Sequence, residues 1–148
     1  MYKKILVPLD GSKRAESILP HVEELVKCMD SEVILLRVFT TDFGQVDDYG
    51  HPPEFYEAIR TECKDKIQAY LTAVQKEYLG GSLQVRILAE EGPVIDTILD
   101  IADREGADLI AMASHGRTGF ARVFYGSVAA GVLCHANLPL LLIRAVKT

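Results

Sequence analysis

The sequence has few cysteines and no long apolar segment. Its three cysteines, Cys28, Cys63 and Cys134, stand far apart and form no C-x-x-C pair. An odd number at these spacings excludes a disulfide framework, so we expect reduced, buried thiols. The apolar runs are too short to cross a membrane, and the start of the chain lacks the long apolar stretch of a secretion signal. We therefore expect a cytoplasmic protein with no membrane partner.

Positive charge is also scarce. The chain carries 16 Lys and Arg against 21 Asp and Glu, for a formal net charge of −5 at pH 7. Binding to nucleic acid or to an anionic surface needs clustered Lys and Arg, so we expect no nucleic-acid partner. The 148 residues, of which 49% are hydrophobic, are enough for one domain with a substantial core. We expect a single domain over residues 1–148.

Short apolar runs alternate with segments of helical period along the chain. Strands are predicted at 4–9, 33–39, 83–89, 109–113 and 138–143. Helices are predicted from apolar stripes at 15–29, 55–78 and 94–102, and a short last helix at 127–136. Ser12 should cap the first helix, and Pro20 should kink that helix or delay its regular part. Strands alternating with helices of crossover length predict an α/β fold, with a parallel sheet and helices on both faces.

The segment after the fourth strand carries the clearest functional signal. Gly116 is followed by nine residues and then by Gly126, Ser127 and a helix. Glycine lets the backbone approach an anion without a Cβ in the way, and the first amides of a helix point at such a ligand unpaired. The Ser127 hydroxyl can donate to a phosphate oxygen. Alternatively, the glycines serve a tight turn and Ser127 is only an N-cap.

Motifs for catalysis and for other nucleotide sites are missing. No G-K-[ST] follows a glycine at the Walker spacing, and no complete G-x-G-x-x-G occurs. Ser114 and His115 are adjacent but lack an acid partner for a hydrolase triad. We expect His135 to interact with the dipole of its helix rather than with a metal. The sequence therefore predicts no catalytic residues.

Residues 109–144, LIAMASHGRTGFARVFYGSVAAGVLCHANLPLLLIR, resemble the C-terminal signature of the universal stress protein family. ILVPLDGS and VILLRV resemble its opening pattern, so the likeness covers essentially the whole chain except the variable loop around 40–53. Nucleotide-binding members carry glycine, two residues, glycine, nine residues, then glycine with Ser or Thr. Gly116, Gly126 and Ser127 match the last three marks, and Ala113 stands at the first.

The resemblance implies a five-stranded parallel sheet in the order 3-2-1-4-5, a Rossmann-like fold, and a site for ATP. Base and ribose would lie at the ends of the first two strands, and the phosphates at the glycine segment. The implied binding residues are Pro8, Leu9, Asp10, Val38, Gly116, Arg117, Gly126, Ser127 and Val128. Open parallel sheets bind ligands beyond the carboxyl ends of their strands, where Leu9 and Met112 lie, so Met112 is a further candidate. Asp10 either holds Mg²⁺ with the phosphates, accepts hydrogen bonds from base or ribose, or begins the turn before Gly11.

These observations favour an ATP-binding stress-response or signalling module with unknown protein partners. No general base is evident, so we expect at most slow ATP hydrolysis. Ala113 favours an alternative, a dimeric interaction scaffold that binds no nucleotide; an adenylating enzyme would need a second pocket. We also expect a homodimer through the strand 138–143, with Leu138 and Ile143 at its ends, because a continuously apolar sheet edge invites pairing with a second copy.

Overall fold

Residues 1–41, 50–80, 83–114 and 126–145 are described by the computed structural model and form an alternating series of strands and helices. The elements are β1 Lys4–Pro8, α1 Lys13–Glu16, α2 Leu19–Met29, β2 Glu32–Phe39, α3 Pro53–Tyr78, β3 Val85–Glu91, α4 Val94–Glu105, β4 Leu109–Ser114, α5 Ser127–His135 and β5 Leu140–Arg144. The five strands form one sheet in the order β3-β2-β1-β4-β5, and every pairing is parallel. The predicted fold and strand order are confirmed.

Alternate residues of the central strands supply two apolar layers, one on each face of the sheet. Ile5 and Val7 of β1 point to the layer that α2 and α3 cover, together with Val22 and Leu71. Leu6, between them, points to the opposite layer, which α4 and α5 cover. This strict alternation, with both sides buried, is typical of central strands in a parallel sheet. Helices therefore lie on both faces, as predicted.

The helical segment after β1 is interrupted near Pro20. The Ser12 hydroxyl accepts a hydrogen bond from the backbone N–H of Ala15 at 3.2 Å and so caps α1, as predicted. α1 ends at Glu16, and α2 begins at Leu19 with Pro20 in its first turn. A proline there lacks only an N–H that has no partner within the helix, so the chain accommodates it by restarting the helix.

The limits of β3 and β5 differ most from the predicted ones, and those of β1, β2 and β4 differ by one residue. β3 begins at Val85 rather than at residue 83, and it runs on to Glu91, because its pairing with β2 continues to the end of that strand at Phe39. β5 begins at Leu140, after Pro139, rather than at residue 138. Both strands are at the edges of the sheet, as expected for β3 and β5.

The cysteines are free, as predicted, but the expectation that they are buried is wrong. Cys28 and Cys134 are exposed, and Cys63 is half-buried. They lie on helices whose core contacts come from other side chains, such as Val26 and Val132. Within the ranges described above, no helix is long and apolar enough to cross a membrane.

Candidate functional site

A pocket of about 300 Å³ opens at the C-terminal edge of the sheet, between the ends of β1, β2 and β4 and the start of α5. β1 pairs with both β2 and β4, and the connections after β1 and β4 lead to helices on opposite faces. Such a switch point leaves a crevice outside the carboxyl ends of the strands, which is where open parallel sheets bind ligands. The volume is in the range of small-molecule sites.

Most of the predicted binding residues meet in this pocket. Its lining includes Pro8, Leu9, Asp10, Val38, Met112, Gly126, Ser127 and Val128. The other two, Gly116 and Arg117, lie outside the described residues. Sequence reasoning missed Ala15, Arg37, Val94, Ile98 and Ala129 as lining residues, and it treated Ala113 only as a motif position.

The walls of the pocket are largely apolar. Leu9, Ile98 and Met112 are almost completely buried, and Val38 is half-buried beside them. A few polar groups, notably Asp10, stand among them. An apolar cleft with a small number of polar groups suits a flat, uncharged ring that is held in one orientation by a few hydrogen bonds.

The start of α5 forms one side of the pocket. Gly126 is the N-cap, and its carbonyl accepts a hydrogen bond from the N–H of Ala130 at 2.9 Å. Ser127 is the first helical residue, so the alternative that its hydroxyl serves as the N-cap is wrong. Because a helix leaves its first N–H groups without intrahelical partners, the amides of Ser127 and Val128 remain for a ligand. The macrodipole makes this end attractive to negative charge.

Gly126 itself has an ordinary backbone conformation. Its φ of −52° and ψ of 154° are open to any residue, so no left-handed conformation requires glycine here. What glycine supplies at this position is the absence of a side chain where the backbone meets the pocket. That is the property needed for close approach by a bulky anion.

Asp10 stabilises a turn at the mouth of the pocket. Its Oδ1 accepts hydrogen bonds from the backbone N–H of Ser12 at 2.9 Å and from the Ser12 hydroxyl at 2.6 Å. This is the turn-forming role considered for Asp10, and the side chain lines the pocket as well. Its contacts with Mg²⁺, base or ribose stay predictions.

Arg37 is the main charged residue that sequence reasoning missed. Its guanidinium carbon lies 5.5 Å from the centre of the Tyr70 ring, a cation–π distance. Burial is the largest cause that raises the pKa of Tyr70 to about 12; Glu16 adds to the rise, and Arg37 opposes it. The available signal was an arginine inside the otherwise apolar run VILLRVF of β2.

Two other candidates from the sequence have structural roles, and a third, His115, lies outside the described residues. The Ser114 hydroxyl donates to the carbonyl of Ile143 at 3.1 Å. His135 Nδ1 lies 2.9 Å from the carbonyl of Gly131, in the last turn of α5, near the negative end of the helix dipole. Among the described residues, no group of three or more His, Cys, Asp or Glu is placed to hold a metal ion.

Comparison with known proteins connects this fold and site to one family. The model of the universal stress protein family matches residues 1–144. The chain belongs to the universal stress protein family. Universal stress protein MJ0577 of Methanocaldococcus jannaschii is 30% identical, over 97% of this chain and 96% of its own. A solved structure of MJ0577 superposes with a TM-score of 0.82 at 31% identity, covering 100% of this chain and 99% of that one.

Two more distant universal stress protein structures contain nucleotides. One, from Archaeoglobus fulgidus, is in complex with dAMP; it has a TM-score of 0.63 at 23% identity and covers 95% of this chain and 97% of its own. Another is in complex with cAMP, with a TM-score of 0.64 at 16% identity over 98% of both chains. At these identities the likeness establishes a shared fold.

Proposed function

We propose that this universal stress protein binds ATP in the pocket at the C-terminal edge of its sheet. The observation that carries the proposal is the start of α5, where Ser127 opens the helix and its hydroxyl does not cap it. Unpaired amides, a hydroxyl and the positive end of the dipole together form an anion site. The apolar wall opposite provides the surface for the base, and the dAMP and cAMP complexes of distant relatives support an adenine nucleotide.

Mg²⁺ is proposed to accompany the nucleotide. Asp10 is a pocket-lining carboxylate, and oxygen ligands of this kind suit Mg²⁺, which is usually held by one or two carboxylates and by phosphate oxygens. The bound ion would offset the repulsion between the carboxylate and the phosphates. If Asp10 holds the metal, Asp10→Ala weakens ATP binding more in magnesium than in EDTA. A similar loss in both buffers would instead assign the side chain to base or ribose.

The biological role we propose is that of a cytoplasmic stress-response or signalling module of one domain, 1–148, with at most slow ATP hydrolysis. A second candidate, the dimeric scaffold without nucleotide, is favoured by Ala113. That residue lines the pocket with a methyl group where the family motif has a bare glycine. The two candidates differ in one measurable property, the affinity for nucleotide.

A homodimer through β5 is compatible with either candidate. β5 is at the edge of the sheet, and its apolar residues Leu140 to Ile143 are only half-buried. Pairing with a second copy would cover both the free edge and these side chains. Light scattering should show a dimer at micromolar concentration, and Leu141→Lys should weaken it. A monomeric wild type would refute the dimer.

Titration calorimetry of the wild-type protein with Mg-ATP tests the nucleotide proposal directly. We expect saturable binding and a rise in Tm, because a ligand that binds only the folded state stabilises it. Mass spectrometry of the protein as purified would show any ATP carried over. No heat and no thermal shift at millimolar Mg-ATP would reject the proposal and favour the scaffold.

A further inference from the structure

Arg37 lies in the wall of the pocket. It lies near the end of β2, half-buried, with its guanidinium over the ring of Tyr70 at 5.5 Å. The guanidinium also lies beside Gly11, where a Cβ would stand 2.7 Å from Arg37 Nη1. Gly11 has φ +88°, a backbone conformation that favours glycine. Tyr70 and Gly11 are therefore the neighbours of the guanidinium in the pocket wall.

The charge of Arg37 has no carboxylate partner in the described part of the chain. The arginines Arg60, Arg86 and Arg104 each form ion pairs with glutamates there. The guanidinium has five N–H donors, and a cation–π contact with Tyr70 at 5.5 Å does not occupy all of them. A half-buried guanidinium is stabilised when its N–H groups bind an anionic partner, and a ligand in the pocket can supply one. Arginine in a pocket wall is suited to phosphate, which its planar fork binds through two parallel hydrogen bonds.

The position of Arg37 separates it from the anion site of α5. α5 follows β4, whereas Arg37 belongs to β2, and β1 lies between these strands. A nucleotide with its 5′-phosphates at α5 would extend across the end of β1 toward Arg37. The apolar wall takes the uncharged base, so a second negative group would have to be on the sugar. This step rests on the proposed nucleotide function.

We propose that Arg37 is a specificity-determining residue that recognises a phosphate on the 2′- or 3′-oxygen of the ribose. The preferred ligands are then adenine nucleotides that carry phosphate at both the 5′ position and a second ribose position. The α5 amides and Ser127 bind the first phosphate, and Arg37 binds the second. Tyr70 and Gly11 act as positioning residues for the guanidinium.

Calorimetric titration with three ligands tests this assignment. The ligands are AMP, adenosine 3′,5′-bisphosphate and adenosine 2′,5′-bisphosphate, and the two bisphosphates distinguish which oxygen is recognised. One charge-assisted contact corresponds to about ten- to a hundredfold in affinity, so one bisphosphate should bind wild type more tightly than AMP by that factor. Arg37→Gln should lose this gain, and Arg37→Lys should retain part of it because it keeps the charge.

Arg86→Gln is the matched control, since Arg86 lies at the start of β3, at the opposite end of the sheet. Arg86→Gln should bind the preferred bisphosphate more tightly than AMP by the same factor as wild type. The gain is the ratio of the affinities of two ligands for the same protein. A general loss of stability in Arg37→Gln would lower both affinities alike and leave this ratio unchanged. If AMP binds but neither bisphosphate binds more tightly, or if the gain survives in Arg37→Gln, the inference is overturned. If no nucleotide binds, ATP included, the proposed function fails and this inference fails with it.

Discussion

The N-terminal end of the sheet and the pocket at its C-terminal end use charge in different ways. At the N-terminal end, Arg86 contacts Glu105 at 2.8 Å and Glu32 at 3.4 Å, and Lys4 lies 3.7 Å from Glu32. Asp108 accepts the backbone N–H groups of residues 3 and 4 at 2.8 and 3.0 Å. At the C-terminal end, the Ser127 hydroxyl does not cap its helix, and no carboxylate pairs with Arg37 in the described part of the chain.

This contrast separates stability from binding. Groups that satisfy one another within the chain hold β1, β2, β3 and α4 together, and they have little left to offer a ligand. At the pocket, the first amides of α5 and the guanidinium of Arg37 lie where a ligand can reach them. Substitutions at the first end should therefore change stability without changing affinity, and substitutions at the second should do the reverse.

Gly126→Val should give the largest effect. Valine can adopt φ −52° and ψ 154°, so we expect the fold and Tm to change little. Its side chain would stand at the N-terminus of α5, where the phosphates must approach, and most of the affinity for Mg-ATP should be lost. The control is Leu133→Ala on the same helix, whose side chain is 45% exposed and does not line the pocket. Unchanged ATP affinity in Gly126→Val would contradict the anion site at α5.

Ser127→Ala should give a smaller loss at the same place. The hydroxyl contributes one hydrogen bond to a charged acceptor, so affinity should fall by about ten- to a hundredfold, while the helix amides continue to bind. Ser31→Ala provides a matched loss of a hydroxyl at the other end of the sheet, where Ser31 donates to the carbonyl of Tyr2 at 2.6 Å. That variant should lower Tm and leave ATP affinity unchanged. If the affinity for ATP falls in both Ser127→Ala and Ser31→Ala, the two ends of the sheet do not differ in their contribution to binding.

Most of the fold could be predicted because its signals are local and repeated. Buried strands such as β4 are short continuous apolar runs, and the helices between them show their period over several turns. The strand order came from the family resemblance. The limits of β3 were misplaced because they depend on pairing with β2, which continues to the end of that strand and cannot be read from β3 alone.

The sequence predicted most of the glycine and apolar residues of the pocket but missed its arginine, Arg37. Strand ends before glycine or turn signals marked Leu9 and Met112, but Arg37 was counted as part of a buried strand. Its role depends on Tyr70, far away in sequence on α3, and on the bare backbone of Gly11. The sequence left open that Ser127 is the N-cap of α5, whereas in the structure Gly126 is the N-cap and Ser127 the first helical residue. A difference of one residue is the usual uncertainty of helix boundaries.

Glu105→Gln should give the smallest effect, a slight loss of stability. The pH dependence of that loss shows whether the charge of the Glu105 carboxylate causes it. The hydrogen bond from Arg86 is the main cause that lowers the pKa of Glu105 below its ordinary value of 4.5; nearby charges on Arg86, Arg104 and Lys4 add to it. A carboxyl with a lowered pKa in the folded state stabilises the protein when ionised, and this stabilisation is lost as pH falls below about 4.5 through the folded-state value.

At pH 7 the variant should therefore be less stable than wild type by about 0.2–1 kcal/mol, as for other ion pairs near a surface. Tm should be measured from pH 7 to pH 3, and the values of the two proteins should converge in acid. Protonation of Glu105 removes its negative charge from wild type, and the substitution has already removed that charge from the variant. Glu24→Gln, at an exposed position of α2, is the control and should match wild type throughout. A difference that persists undiminished at pH 3 would mean that packing, rather than charge, gives Glu105 its effect. Added salt should narrow the gap at pH 7 for the same reason, since screening weakens exposed ion pairs.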